Sequence, residues 1–120
     1  MKLPHHEQAI VPEPKIVAYL LSFTHEDGRS KAVFFSGFGF IAARWEELAD
    51  ALKQHAGANE VVEIEDTEFG TAYAVVGPLE TPAGRAPIVR VVWFIDTGGT
   101  IPRLVTAYPQ KGAGEDGTRA

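Results

Sequence analysis

The chain has 120 residues, of which 45% are hydrophobic and 22% charged, a composition typical of one globular domain rather than a disordered segment. It contains no cysteine, which excludes disulfides, thiolate metal sites and a cysteine nucleophile. Its apolar runs are too short to span a membrane, and the N-terminus lacks the apolar region of a signal peptide, so we expect a soluble cytoplasmic protein.

Charge is distributed unevenly along the chain. The formal net charge is −5, but residues 44–80 carry nine acidic and two basic side chains, whereas residues 85–111 carry four basic and one acidic. The overall acidity argues against indiscriminate duplex binding and leaves room for a small basic phosphate pocket. The acidic segment is either a solvated face that keeps the domain soluble or a docking surface for a basic partner.

The first half of the sequence predicts helices. We expect residues 1–12 to form a flexible arm, because Pro4, Pro12 and Pro14 prevent a continuous early helix. Apolar residues then recur at helical spacing over 15–21, 29–36 and 43–55. The sequence therefore predicts three N-terminal helices.

The second half predicts strands. Period-two and β-branched segments cover residues 61–67, 71–76, 87–96 and 103–108. The links between them are short and rich in turn residues, which favours an antiparallel meander. We therefore predict one α+β domain over residues 13–109, with three N-terminal helices packed on a C-terminal four-stranded antiparallel meander sheet. Residues 110–120 are expected to form a flexible tail.

The segment before the second predicted helix is the first candidate site. His25 precedes the helix, and Arg29 and Lys31 lie in its first turns. A helix N-terminus presents free N–H groups that suit a phosphate. There His25 can transfer protons and Lys31 can stabilise anionic charge. The alternative is an ordinary capped helix, in which the imidazole of His25 is solvated and Lys31 lies on the solvent-exposed face.

The strands supply further candidates. Arg90 lies in the most apolar strand, where an unpaired charge is costly, so a salt bridge to an acid on a neighbouring strand is the ordinary solution. In the last strand, alternation places Thr106 and Tyr108 on one face and Arg103 on the other, unless a bulge intervenes. Ordinary β propensity also accounts for Thr106 and Tyr108.

No metal or nucleotide motif is present. His5, His6 and Glu7 are adjacent in the predicted arm, which is poor geometry for a metal, so no metal site is expected. No P-loop or nucleophile elbow occurs.

The sequence resembles a family of small uncharacterised bacterial domains over about residues 13–109. The most specific shared segment is Pro102-Arg-Leu-Val-Thr-Ala-Tyr-Pro109. The family commonly has Pro at the position of Glu26, in the loop that carries His25. The other shared residues are Lys15…Tyr19-Leu-Leu-Ser22, Thr24-His25…Gly28-Arg29…Lys31-Ala32…Phe34-Phe35…Gly39-Phe40, Trp45-Glu-Glu-Leu48, Thr67-Glu-Phe-Gly70…Tyr73, Gly77-Pro-Leu79, Pro82…Gly84-Arg85 and Val91…Trp93.

The order of elements also resembles the barnase–EndoU–colicin–RelE (BECR) group of RNase toxins. That resemblance implies RNA cleavage without a metal or other cofactor, in which the RNA 2′-OH attacks its own phosphodiester. It implies His25 as base or acid and Lys31 as an electrostatic clamp. The implied site residues are, for catalysis, His25, Lys31, Arg103 and Thr106 and, for binding, Arg29, Arg90, Tyr108 and Tyr73.

Two functions follow as hypotheses. One is a ribonuclease toxin with RNA as its substrate, controlled by a small cognate antitoxin or immunity protein. The alternative is a non-catalytic binding module or immunity-like accessory module that uses the acidic surface of residues 44–80. Neither hypothesis calls for a membrane or a disulfide-linked partner.

Overall fold

The computed structural model describes residues 1–110, so the predicted tail, apart from Gln110, lies outside the described residues. The helical segments precede the sheet. The α-helices are α1 at Glu13–Lys15, α2 at Arg29–Gly37 and α3 at Trp45–Ala58. The other helical turns are 3-10 turns at His6–Gln8 and Ala42–Arg44 and a π turn at Ile16–Leu20.

Four antiparallel strands follow in the spatial order β1-β2-β3-β4. They are β1 at Glu60–Thr67, β2 at Gly70–Pro78, β3 at Ile88–Asp96 and β4 at Arg103–Pro109. One face of the sheet packs against the helices and carries buried side chains such as Val75, Val91 and Trp93. We call the opposite face the open face; it carries Glu63, Glu65, Arg90, Thr106 and Tyr108.

The prediction of three regular N-terminal helices is wrong for the first of them. The segment predicted as a helix over 15–21 is a single α-turn that continues as the π turn, in which the N–H of Leu21 donates to the carbonyl of Ile16 at 2.7 Å. The wider turn buries Ile16 and Leu20 completely and leaves Tyr19 half-buried. Apolar spacing shows which residues are buried. It does not show whether each backbone N–H donates to the carbonyl four residues earlier, as in an α-helix, or five residues earlier, as in a π turn.

The arm predicted over residues 1–12 is packed against the domain. Leu3 and Val11 are buried in the core, and Ile10 forms a parallel bridge with Arg103. This segment therefore covers part of the outer edge of β4. Prolines exclude a continuous α-helix here, but they allow the short 3-10 turn and leave an extended chain free to bury its apolar side chains and protect an edge strand.

His55 joins α3 to the sheet from inside the core. It is 2% exposed, and its Nε2–H donates to the carbonyls of Gly77 and Val89, each at 3.1 Å. Its Nδ1 atom has no hydrogen-bond partner within residues 1–110. Burial lowers the pKa of His55 below its ordinary value of 6.5, because a charged imidazole loses its hydration there.

This burial predicts a pH-dependent stability. The unfolded chain takes up a proton on His55 before the folded protein does, so the stability is complete above about pH 6.5 and decreases as the pH falls below it. His55→Gln keeps a side-chain N–H donor and cannot titrate. Urea unfolding between about pH 7 and about pH 5 should show a steeper loss in the wild type, by up to about 1.4 kcal/mol per pH unit. Equal slopes for the two proteins would contradict this role.

Candidate functional site

The loop before α2 fixes the ring of His25. Its Nδ1 accepts the backbone N–H groups of Asp27 at 2.9 Å and Gly28 at 3.0 Å. The Oγ of Ser22 accepts the backbone N–H of His25 at 3.1 Å. Because Nδ1 acts as an acceptor, the neutral ring carries its proton on Nε2. His25 therefore offers an N–H donor from the loop that immediately precedes α2.

Tyr19 lies at the centre of a group of side chains that we call the Tyr19 cluster: Tyr19, Lys15, His25, Lys31 and Thr106. The ring of Tyr19 meets the ring of His25 edge to face, with centroids 5.1 Å apart. The hydroxyl oxygens of Tyr19 and Thr106 are 3.0 Å apart, so they share a hydrogen bond. The Nζ atoms of Lys15 and Lys31 lie 5.4 and 5.5 Å from the Tyr19 ring centroid. The cluster thus joins the π turn, α2 and β4.

The cluster carries positive charge that no carboxylate balances at contact distance. Neither Lys15 nor Lys31 takes part in an ion pair within residues 1–110. Lys31 donates to the carbonyl of Asp27 at 3.2 Å, and both ammonium groups contact the Tyr19 ring. A cation held by aromatic and carbonyl groups keeps its full charge. Two such charges beside an imidazole N–H form a site suited to an anion.

Arg103 lies on β4 but outside the cluster. It forms two hydrogen bonds with Asp96, at 3.1 and 3.2 Å, and its guanidinium lies 5.2 Å from the ring centroid of Phe94. These hydrogen bonds lower the pKa of the Asp96 carboxyl. Strict alternation would place Arg103 and Thr106 on opposite faces, but the stated exception for a bulge applies, because β4 bulges at Val105 and both residues lie on the open face.

Arg90 and Tyr108 lie on the open face beside a pocket of about 190 Å³. Arg90 forms an ion pair with an acidic side chain of the sheet, Glu63. The predicted partner was an acid on a neighbouring strand, but Glu63 lies on β1, so the ion pair reaches across β2. We call the cavity of about 190 Å³ beside Arg90 and Tyr108 the open-face pocket. Its lining residues are Glu63, Glu65, Ala72, Ala74, Arg90, Val92 and Tyr108.

The structure brings only part of the predicted site together. His25, Lys31 and Thr106 belong to the Tyr19 cluster. Tyr73 lies on the covered face of the sheet and packs against the core. Arg29 is exposed at the start of α2 and makes no ion pair within the described part of the chain. The remaining three predicted residues, Arg90, Arg103 and Tyr108, lie on the open face of the sheet, and none of them is a hydrogen-bond or ring partner of His25 within residues 1–110.

Sequence reasoning missed Tyr19 and Lys15 as site residues. It assigned Tyr19 to the apolar face of a helix, because its spacing from Ile16 and Leu20 is helical. The available signal was the presence of both residues in the family-like segment that starts the domain. The contact that reveals the role of Tyr19 is with Thr106, 87 residues away, and local spacing does not predict it.

The described residues contain no group of three His, Asp or Glu side chains arranged to hold a metal ion. Over the same residues, no helix combines the length and apolar character needed to cross a bilayer.

The cluster depends on close contact between Gly28 and Tyr19. A Cβ atom at Gly28 would lie 2.2 Å from the carbonyl oxygen of Tyr19. Gly28→Ala must therefore push the π turn away from α2, and we expect it to destabilise the protein by about 1–3 kcal/mol. Gly37→Ala is the matched control, because nothing lies within 4 Å of a Cβ there. Urea unfolding compares the two variants, and equal stabilities would show that the contact does not constrain the fold.

Comparison with known proteins finds a solved structure with the same architecture. A chain in a solved structure from Klebsiella pneumoniae 342, described as a contact-dependent growth inhibition toxin–immunity protein complex, superposes with a TM-score of 0.66. The match covers 89% of this chain and 97% of that chain at 17% identity, which shows a shared fold. No curated protein matches significantly. A family model described as a domain of unknown function (DUF6883) matches residues 2–111, and the chain therefore belongs to this family.

Proposed function

We propose that the protein is a metal-independent ribonuclease that acts as a toxin and is controlled by a cognate antitoxin or immunity protein. The observation that carries this proposal is the Tyr19 cluster, in which an imidazole N–H, two ammonium groups that form no ion pair within residues 1–110 and two hydroxyls meet around one ring. These groups bind and polarise a phosphodiester.

The proposed reaction is an internal transesterification of RNA. The 2′-oxygen forms a bond to the adjacent phosphorus, the bond to the 5′-oxygen breaks, and the products are a 2′,3′-cyclic phosphate and a free 5′-OH. Lys15 and Lys31 stabilise the charge that develops on the non-bridging oxygens. The hydroxyl pair of Tyr19 and Thr106, in which either oxygen can donate, provides a route from the 2′-OH to the leaving 5′-oxygen.

The proposed role of His25 is narrower than the resemblance implied. Since Nδ1 accepts two backbone N–H groups, Nε2 holds the proton and donates to a phosphoryl oxygen. For Nε2 to act as a general base, the proton would have to move to Nδ1, and both backbone hydrogen bonds would be lost. A neutral imidazole held at a helix N-terminus polarises a substrate as a hydrogen-bond donor.

The structural comparison supports the biological part of the proposal. The neighbour with the shared fold comes from a complex whose description names a toxin and its immunity protein. The BECR resemblance points to RNA cleavage by toxins with helices followed by an antiparallel sheet. Both agree with a role in a toxin–immunity system.

The second candidate function is a non-catalytic, immunity-like binding module. It is favoured by β1, an edge strand on which Val62 is 55% and Ile64 is 50% exposed, with Glu63 and Glu65 on either side of Ile64. An exposed edge strand with apolar side chains can pair with a strand of another protein. In this function the acidic surface of residues 44–80 contacts a basic partner.

Cleavage of RNA tests the proposal. Purified wild-type protein, incubated with single-stranded RNA and a metal chelator, should produce 2′,3′-cyclic phosphate ends. His25→Ala and Lys31→Ala should each reduce the rate by at least about a hundredfold, because each removes a group that stabilises the transition state. Lys53→Ala, on the exposed side of α3, is the control and should cleave at the wild-type rate. Intact RNA with the wild type, or equal rates for all variants, would refute the ribonuclease proposal.

A further inference from the structure

The open-face pocket has an apolar floor and polar walls. Ala72, Ala74 and Val92 form the floor; Ala74 pairs with Val92 in register, and the two alanines on β2 leave space above the sheet. Tyr108 contributes an aromatic side chain from β4. A volume of about 190 Å³ is below the usual range for a drug-sized ligand and suits one planar base, including the two fused rings of a purine. The shape therefore suits a nucleobase rather than a whole nucleotide.

The polar walls place a hydrogen-bond donor beside acceptors. The guanidinium of Arg90 pairs with Glu63, and no other hydrogen bond of that guanidinium occurs within residues 1–110, so several of its N–H groups remain available. Glu65 lines the same pocket and forms no ion pair in the described part of the chain. An ionised carboxylate offers two acceptor oxygens and no donor.

We infer that the open-face pocket binds a guanine base. The Watson–Crick edge of guanine carries the O6 acceptor next to the N1–H and N2–H donors, which match Arg90 and the Glu65 carboxylate. Adenine and cytosine each place a ring-nitrogen acceptor beside a single amino donor, and uracil has one N–H between two carbonyls. Each of these bases would bring an acceptor against the carboxylate, so guanine fits best.

The position of the pocket links the base to the Tyr19 cluster. Tyr108 and Thr106 lie two residues apart on the same face of β4, which corresponds to about 7 Å along the strand. The Thr106 hydroxyl contacts Tyr19. The guanine therefore belongs to a nucleotide at or beside the phosphate held by the cluster. This assignment as a substrate subsite rests on the proposed ribonuclease function, and it gives that function a base preference.

The charge of the pocket also decides which part of the nucleotide enters it. Glu63 and Glu65 repel a phosphate, whereas the cations of the Tyr19 cluster attract one. The base and the phosphate of one RNA segment are thus drawn to adjacent places on the molecule.

Nucleotide binding tests the inference without requiring cleavage. Guanosine 3′-monophosphate and the corresponding adenosine, cytidine and uridine nucleotides are titrated separately into the protein and followed by calorimetry and by NMR. Guanosine 3′-monophosphate should bind at least about tenfold more tightly than the others. Glu65→Gln removes the charge and one acceptor with little change of shape, and it should abolish most of this preference. Glu68→Gln, an exposed acid outside the pocket, is the matched control and should retain it.

The outcomes separate the two proposals. Equal affinity for the four nucleotides, or a preference that Glu65→Gln leaves unchanged, would overturn the guanine pocket even if the protein cleaves RNA. A guanine preference that depends on Glu65 would support the pocket even if RNA remains intact, in which case only the ribonuclease proposal fails. NMR spectra of the variants establish that each is folded.

Discussion

A hydrogen bond between the hydroxyl groups of Tyr19 and Thr106 connects the helical half of the molecule to β4, and the candidate site is arranged around it. The Tyr19 ring contacts the His25 imidazole on one side and receives the ammonium groups of Lys15 and Lys31. None of these groups is deeply buried, so their positions depend on this contact and on the packing of the π turn against α2. A π turn inside an otherwise helical segment is often found at a functional site, because it redirects one side chain.

The molecule separates its charges in space. The net charge is −5, and acidic side chains lie along β1, including Glu63 and Glu65. The cluster at the β4 side holds two ammonium groups that form no ion pair within residues 1–110, although Glu26 and Asp27 lie in the loop that carries His25. Exposed charges are screened within about 10 Å at ordinary ionic strength. The charge of the side chains close to Tyr19 therefore affects a bound phosphate more than the net charge of the whole protein does. An acidic protein can therefore hold a compact anion site.

The strands and the two longer helices were largely predictable from the sequence, because their signals are local. All four strands lie within two residues of their predicted bounds, since period-two alternation and short turns define them. The positions of His25 just before α2 and of Lys31 in its first turn were predictable for the same reason, because both lie close to one helix N-terminus in the sequence. The π turn was not, since apolar spacing does not reveal the backbone hydrogen-bond register. Neither was the bulge at Val105, which moves Arg103 to the face of Thr106.

The anion site around Tyr19 can be tested directly by titrating inorganic phosphate into isotopically labelled protein and recording backbone and side-chain NMR shifts. We expect saturable shifts concentrated at Tyr19, His25, Lys31 and Thr106, because these groups are brought together and the lysine forms no ion pair in the described part of the chain. Shifts confined to the Arg103 region, or no saturable shift in the cluster, would show that the residues around Tyr19 do not form an anion site.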